Sequence, residues 1–486
     1  MAINTKTYSD NKLIQQDDFR ITEVVLYNYK GDAENLTENL LAIDVFESIY
    51  NHTLTGKLTF SDQSSFVERM PIVGKEFLEF RLRTPVQYNG AYGGEINAVT
   101  QKFFVYKVSV EQATFRNQVV TLHFASAEML RNSRVRVSKA YEGAYDKAVA
   151  DIFKSSNILN SKKPLFLERT RLNQKIVVPN LRPFDAINMF CSRSLSTISN
   201  SASFFFYETT QGFHFRSLDS MVRDLKSGVG PVQSMFTYNL ESSGMPNPST
   251  PGEDSFKDLE RVYGHKFNNA LDTIADTRSG MMSSKLITHD LYNKTFSEHE
   301  FDYNVEYGKQ NHLEQDSNGD KRDDNSILPF FNYDRGNTFG SKNEGVLYYQ
   351  SETRKVHNDY EFPESKYILQ KRVSQHLAVN ALNIEITVPG STEINIGDIV
   401  HFAMPKYASP TEEDIKDQDI YLTGRYLISA ARHQVSIINK RHTLILELVK
   451  DSFSKAYPEE IMDLFTNNED DTGSAYSATE LDEFLV

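Results

Sequence analysis

The chain has 486 residues, with 66 acidic side chains against 52 Lys and Arg, giving a formal net charge of −14. No basic stripe appears along the chain, so groove-type nucleic-acid binding is not expected. The single cysteine, Cys191, excludes a disulfide within the chain and a Cys-rich zinc site. Aromatics make up 12 % of the residues (32 Phe, 25 Tyr, no Trp). Such side chains favour pleated, half-buried surfaces, so a β-rich chain of about three domains is expected.

Residues 1–18 are polar and are expected to form a flexible leader. They lack the apolar core of a secretory signal, and no run approaches the ~20 apolar residues of a membrane span. Folding in a cytoplasm, without a membrane span, is the expectation. From Phe19 the text reads as strands: FRITEVVLYNY (Phe19–Tyr29), LLAIDVFESIY (Leu40–Tyr50) and LTGKLTFSD (Leu54–Asp62). GKEFLEFRLRTP (Gly74–Pro85), FFVYKVSV (Phe103–Val110) and FRNQVVTLHF (Phe115–Phe124) complete a six-stranded β domain over 19–125, with a Gly-rich loop at 86–100.

Ser126 is placed to cap a helix beginning AEML. In Tyr145–Ser156, Ala148, Val149, Ile152 and Phe153 share one helical face. In Leu181–Ser194, Phe184, Ile187, Phe190 and Cys191 do the same, with Pro183 suited to the first turn. SASFFFYETTQGFHFRSL (Ser201–Leu218) reads as a hairpin turning at Gln211–Gly212. Residues 126–231 are therefore expected to be an α+β insertion. A β region at 232–307 follows, expected to contribute to the second β-barrel domain and its neighbours and broken by a Pro/Gly/Ser loop at 243–258. Residues 308–363 read as a polar surface excursion. A helix (Glu364–Ala378) and a second β segment occupy 364–452, and an acidic tail 453–486, mobile from about Asp451, closes the chain.

The early and late β segments follow one plan. Gly74–Pro85, an insert, Phe103–Val110, a turn and Phe115–Phe124 parallel Gly397–Pro405, an acidic insert, Ile420–Val435, a turn and Ile437–Leu446. Three identities hold at an offset of 322 (439 − 117): Asn117/Asn439, Thr121/Thr443 and Leu122/Leu444. An internal duplication is the reading; the alternative is two unrelated sheets, since antiparallel hairpins resemble one another.

No constellation for catalysis emerges. Asp316, Asn318, Asp320 and Asp324 offer oxygen ligands, but Lys321 replaces the Gly and Ile327 the Glu of an EF-hand, so a solvated loop is expected. Cys191 on an apolar helix face reads as a buried, inert thiol. His299-Glu300 lacks the second His of H-E-x-x-H. Gly90, Gly93 and Gly94 lie between strands, not at a helix start. No nucleophile elbow, P-loop or dinucleotide fingerprint is present, and 66 acids make accidental carboxylate pairs uninformative. No catalytic, cofactor-binding or metal residue is assigned, no cofactor is expected, and the chain is read as a non-enzyme.

The C-terminal third carries a resemblance. LNIEITVPGSTEINIGDIVHF (Leu382–Phe402) and YLTGRYLISAARHQVSIINKRHTLILELVKDS (Tyr421–Ser452) look like segments of the central baseplate hub protein of contractile-tailed bacteriophages. Late control protein D and the hub module of type VI secretion spike proteins are related. His433 stands at the family-like His position. The resemblance implies an α+β, β-rich fold with two similar tube-like β-barrel domains, forming a pseudo-sixfold ring as a trimer. It implies a structural hub adapting a threefold spike to the sixfold tail tube, with a passage for DNA. Three copies would carry three times −14, or −42, and a negative bore would not retain phosphates. The implied partners are a trimeric tail spike protein on a separate polypeptide, the tail tube protein and other baseplate (wedge) proteins, without specific nucleic-acid binding. The implied location is the virion tail, assembled in the host cytoplasm. The alternatives are the equivalent hub of a cellular contractile injection system, a tail-associated peptidoglycan hydrolase and a host-binding adhesin.

Overall fold

A computed structural model describes residues 3–4, 17, 19–21, 23–62, 74–85, 92–97, 103–114, 117–171, 174–199, 201–222, 236–239, 261–290, 293–314, 328–329, 346–352, 364–405, 419 and 421–453. Its centre is one long, mostly antiparallel sheet of thirteen strands. Ten of them fall into two sets of five. The first set is β1 (Leu40–Ser48), β2 (Thr55–Asp62), β3 (Phe77–Glu79), β4 (Phe103–Thr114) and β5 (Asn117–Ser126). The second is β6 (Gly264–Ala270), β7 (Leu382–Pro389), β8 (Ile399–Ala403), β9 (Gly424–Ser436) and β10 (Arg441–Lys450).

The two sets pair identically. The first runs in space β1-β2-β5-β4-β3 and the second β6-β7-β10-β9-β8. Alternation along each strand sends one row of side chains inward. Val120, Leu122 and Phe124 of β5 are buried, as are Leu444, Leu446 and Leu448 of β10. A one-residue break in register fixes the match: it falls between Val105 and Lys107 in β4 and between Ile428 and Ala430 in β9. Aligned on it, Phe80 against Phe103 (centroids 6.1 Å) matches Phe402 against Tyr426 (5.9 Å).

This match corrects the sequence alignment. Val105 pairs with Phe124 and Ile428 with Leu448, an offset of 324 (448 − 124) rather than 322. The three identities are therefore two residues out of step. The inward and outward faces still agree, because a two-residue shift preserves strand alternation. The copies also differ in what interrupts them. Six residues (49–54) separate β1 from β2, whereas 111 residues (271–381) separate β6 from β7.

The first copy contains more strands than the six expected. Phe19–Tyr29 divides into Arg20–Ile21 and Val25–Tyr27, which join different sheets. Arg81–Pro85 and Tyr92–Asn97 pair beside Arg20–Ile21, so Gly93 and Gly94 lie in a strand, not in a loop.

The insertion holds α1 (Ala127–Arg134), α2 (Tyr145–Lys154) and α3 (Pro183–Cys191), with Pro183 in the first turn of α3. The predicted apolar faces of α2 and α3 are buried. Ser126 precedes α1 but makes no side-chain cap; it ends β5, and its backbone N–H donates to Leu54 O at 3.1 Å. The predicted hairpin is Phe204–Thr209 with Gly212–Ser217, every residue of the two strands buried. Between β6 and β7, strands Ser283–Asp290, Thr295–Asp302 and Leu347–Glu352 form an outer sheet. Helix α4 (Glu364–Val379) then leads into β7.

The polar excursion is not superficial where it begins. His312, Leu313 and Glu314 are buried, and so are Asp451, Ser452 and Phe453 at the start of the expected mobile tail. Leu328–Pro329 pairs with Ser452–Phe453. The remainder of the tail, 454–486, lies outside the described residues.

Candidate functional site: an edge-to-edge junction of two copies

The two five-strand sets meet within the chain along β1 and β9. Seven residue pairs run from Ala430↔Ser48 to Ser436↔Ala42, antiparallel. β9 is long enough for two partners on one edge: its first residues pair with β8, and its later ones pair with β1. The seam is pinned on one face by Arg432, whose Nη2 lies 3.2 Å from Asp44 Oδ1. Arg432 and Lys57 both lie over the Phe46 ring, at 5.5 and 5.7 Å. On the other face Val435 enters the core of the first copy.

Beneath the seam sits a group of buried titratable side chains. His433 Nδ1 and His442 Nε2 are 3.3 Å apart, and His433 Nε2 lies 3.8 Å from Glu47 Oε1. The contact has the spacing of an ion pair, yet both partners are neutral at pH 7. Burial, reinforced by the carboxylates of Glu208 and Asp398, pushes Glu47 up to about 8. Burial lowers His433 to about 4, and burial followed by His433 holds His442 well below the usual imidazole range.

The folded chain therefore binds a proton at Glu47 between its ordinary range, near 4.5, and about 8 that the unfolded chain releases. Stability from this group is complete below that window and falls as pH rises through it. Replacing Glu47 by Gln should remove this term. The stability difference between variant and wild type, followed by denaturant unfolding from pH 5 to 9, should move in the variant's favour up to about pH 8 and then level. A difference independent of pH would refute the assignment.

Four further groups, buried or half-buried, tie the intervening segments to the second copy and to the sheet. Lys450 Nζ lies 2.7 Å from Glu314 Oε1, both side chains fully buried. His312 Nδ1 lies 2.9 Å from Asp451 Oδ2, and the His312 ring stacks on Tyr307 at 3.6 Å. Lys163 joins Glu128 and Glu208, while Glu208 Oε2 accepts from Leu54 N at 2.9 Å, so the insertion is anchored to the entry of β2. Arg372 of α4 donates to the carbonyls of Cys191, Ala202 and Phe204 at 3.2, 3.3 and 3.2 Å. All are positioning contacts that hold rigid bodies together.

Of the residues singled out by sequence, Asp316, Asn318, Asp320 and Asp324 lie outside the described residues. Cys191 is buried, and burial pushes its thiol up to about 12 against the opposing charge of Arg372. His299 and Glu300 lie in the outer sheet, paired with Leu286 and Lys285. His433 lies at the seam as a neutral core side chain. Among the described residues no group of three His, Cys, Asp or Glu could hold a metal ion, and no helix is long and apolar enough to cross a membrane. Sequence reasoning missed Glu47, Asp44 and Arg432, and it placed a β region over 232–307 without singling out β6 within it. The alternation of His265 and Phe267 was the one signal for β6, and it is weak beside the insertion that separates that strand from β7.

The fold and its seam define a β-rich protein in which one five-strand unit is used twice and joined to itself. No family model matches the chain. The chain is similar to phage baseplate hub proteins: it is 22 % identical over 450 residues to the probable baseplate hub protein gp334 of Vibrio phage KVP40, covering 86 % of this chain and 92 % of that protein. Among solved structures it is similar to the 43 kDa tail protein of prophage MuSo2 from Shewanella oneidensis (TM-score 0.49, 9 % identity, 88 % of this chain and 98 % of that one). It is also similar to the tail protein from Neisseria meningitidis (TM-score 0.48, 9 % identity, 89 % and 97 %).

Proposed function

We propose that the chain is a structural hub of a phage tail baseplate, acting as a homotrimer whose six five-strand units form a ring around a passage for DNA. The observation that carries this reading is the duplicated unit joined edge to edge. A unit that already meets its own copy laterally has the geometry to continue around a ring, and head-to-tail contacts of this kind close when the rotation allows. The likeness over nearly the whole chain to a relative named as a baseplate hub supplies the setting. In that setting one ring face meets the sixfold tail tube and the other a threefold spike, with wedge proteins outside, and assembly precedes packaging into the virion in the host cytoplasm. The buried groups described above serve stability, and no catalytic role is proposed for them.

The test is the mass of the purified full chain in solution, alone and mixed with the spike trimer of the same phage. Three chains per particle, alone or with spike, is the expected result. A particle of one, two or four chains under both conditions would overturn the trimer.

A further inference from the structure

The seam within the chain predicts the seam between chains. We infer that the outer edge of β4 in one chain pairs antiparallel with the free edge of β6 in a second copy, in the register already used by β9 and β1. The inference rests on the trimer reading and deepens it by naming the surfaces that meet.

The equivalence of the two copies makes the argument. β4 corresponds to β9, and β6 corresponds to β1. β9 uses its first residues for β8 and its later ones for β1. β4 likewise uses Phe103 and Phe104 for β3. From Lys107 to Thr114, however, that same edge has no ladder partner among the described residues. Among the described residues β6 pairs with β7 alone and ends the sheet on that side. Each copy thus has one edge used within the chain and one left over, and the two leftover edges are the counterparts of the two already joined. Open edges of this length are aggregation liabilities unless a partner covers them.

The register follows from matched positions. Within the chain His433 faces Val45. Through the break in β4 and β9, His433 corresponds to Val110. Through the ladders β1-β2-β5 and β6-β7-β10, Val45 corresponds to Phe267. Val110 and Phe267 therefore face each other across the proposed seam. His433 and Val45 are both fully buried, whereas Val110 is 49 % exposed in the single chain. An apolar side chain left open where its counterpart is sealed fits a surface that a second copy covers. One step along, Gln434 facing Asp44 becomes the position of Glu111 facing that of Lys266, which is exposed. Opposite charges in direct register across strands are favourable. Both edges belong to every chain, so the contact is head-to-tail, and six seams would alternate within and between three chains.

Cysteine pairs test the register. Neighbouring pairs in an antiparallel ladder alternate between close and wide spacing, so one of two adjacent pairs suits a disulfide. The full chain carrying Val110→Cys with Phe267→Cys, and separately Glu111→Cys with Lys266→Cys, is oxidised and run without reductant. Cys191 is buried and gives no background. One of the two variants should yield a covalent closed trimer, at more than tenfold the level of either single-cysteine chain. Mixing two tagged single-cysteine chains should give dimers of one each. A protein that is trimeric by mass but cross-links through neither pair refutes this seam and leaves the trimer standing. A protein that stays a single chain with and without spike refutes the trimer itself, and the seam with it.

Discussion

Replacing Lys450 by Met is expected to cost roughly 3–5 kcal/mol, the range for removing one partner of a buried ion pair. Lys450 and Glu314 are both fully buried, at 2.7 Å. The ammonium also reaches the carbonyls of Tyr421 and Thr423 at 3.4 and 3.3 Å and lies 5.1 Å from the Tyr426 ring centroid. Glu314 accepts from Arg425 N at 3.0 Å through the oxygen that meets Lys450. Next to it, Gly424 has φ +148°, and a Cβ there would come within 2.0 Å of that oxygen. In Lys450→Met, Glu314 would lose its buried cation between β9 and β10. Adding Glu314→Gln to Lys450→Met should recover more than half the loss, because the amide oxygen still accepts from Arg425 while the charge is gone. Urea unfolding of the three proteins reads both effects. A single variant within about 1 kcal/mol of wild type would show that the pair contributes little.

Gly56→Ala is expected to cost about 3 kcal/mol, and the cost should depend on Phe124. A Cβ at Gly56 would lie 2.3 Å from Phe124 Cζ and 2.5 Å from Asp44 O, far inside contact distance. The second copy shows why. Gly56 pairs with Phe124, and the matched positions are Ile384 and Leu448, all facing the core. One copy places its volume on β5 as a phenyl ring; the other divides it between two aliphatic chains. Close packing conserves the total rather than the residue. Phe124→Leu should therefore offset part of the Gly56→Ala cost, with a coupling of about 1 kcal/mol or more. The Asp44 carbonyl keeps the rescue incomplete. Strict additivity of the two substitutions in thermal and denaturant unfolding would contradict the matched positions.

The helical faces of α2 and α3 were legible because each is amphipathic within a dozen residues, and local periodicity needs no distant partner. The hairpin at Gln211–Gly212 was legible for the same reason. The buried ends of the excursion were not. Polar residues such as His312, Glu314 and Asp451 read as surface until partners from remote sequence satisfy them: Asp451 for His312 and Lys450 for Glu314. Ser126 shows the reverse. Its type suits a helix cap, but the ladder of β5 extends through it and takes its backbone first.

By itself the sequence determined that the chain is β-rich and that two of its segments share a plan. Those properties follow from composition and from a two-residue alternation that every strand writes locally. Only the tertiary structure decided that β6 is the strand of 232–307 that completes the second copy across 111 intervening residues, that the copies align at 324, and that β1 and β9 join them. Strand pairing is a contact between distant residues, and register is set by a single unpaired residue near Val105 and near Ile428. Alternation cannot count such a residue, because a shift of two positions leaves every face unchanged.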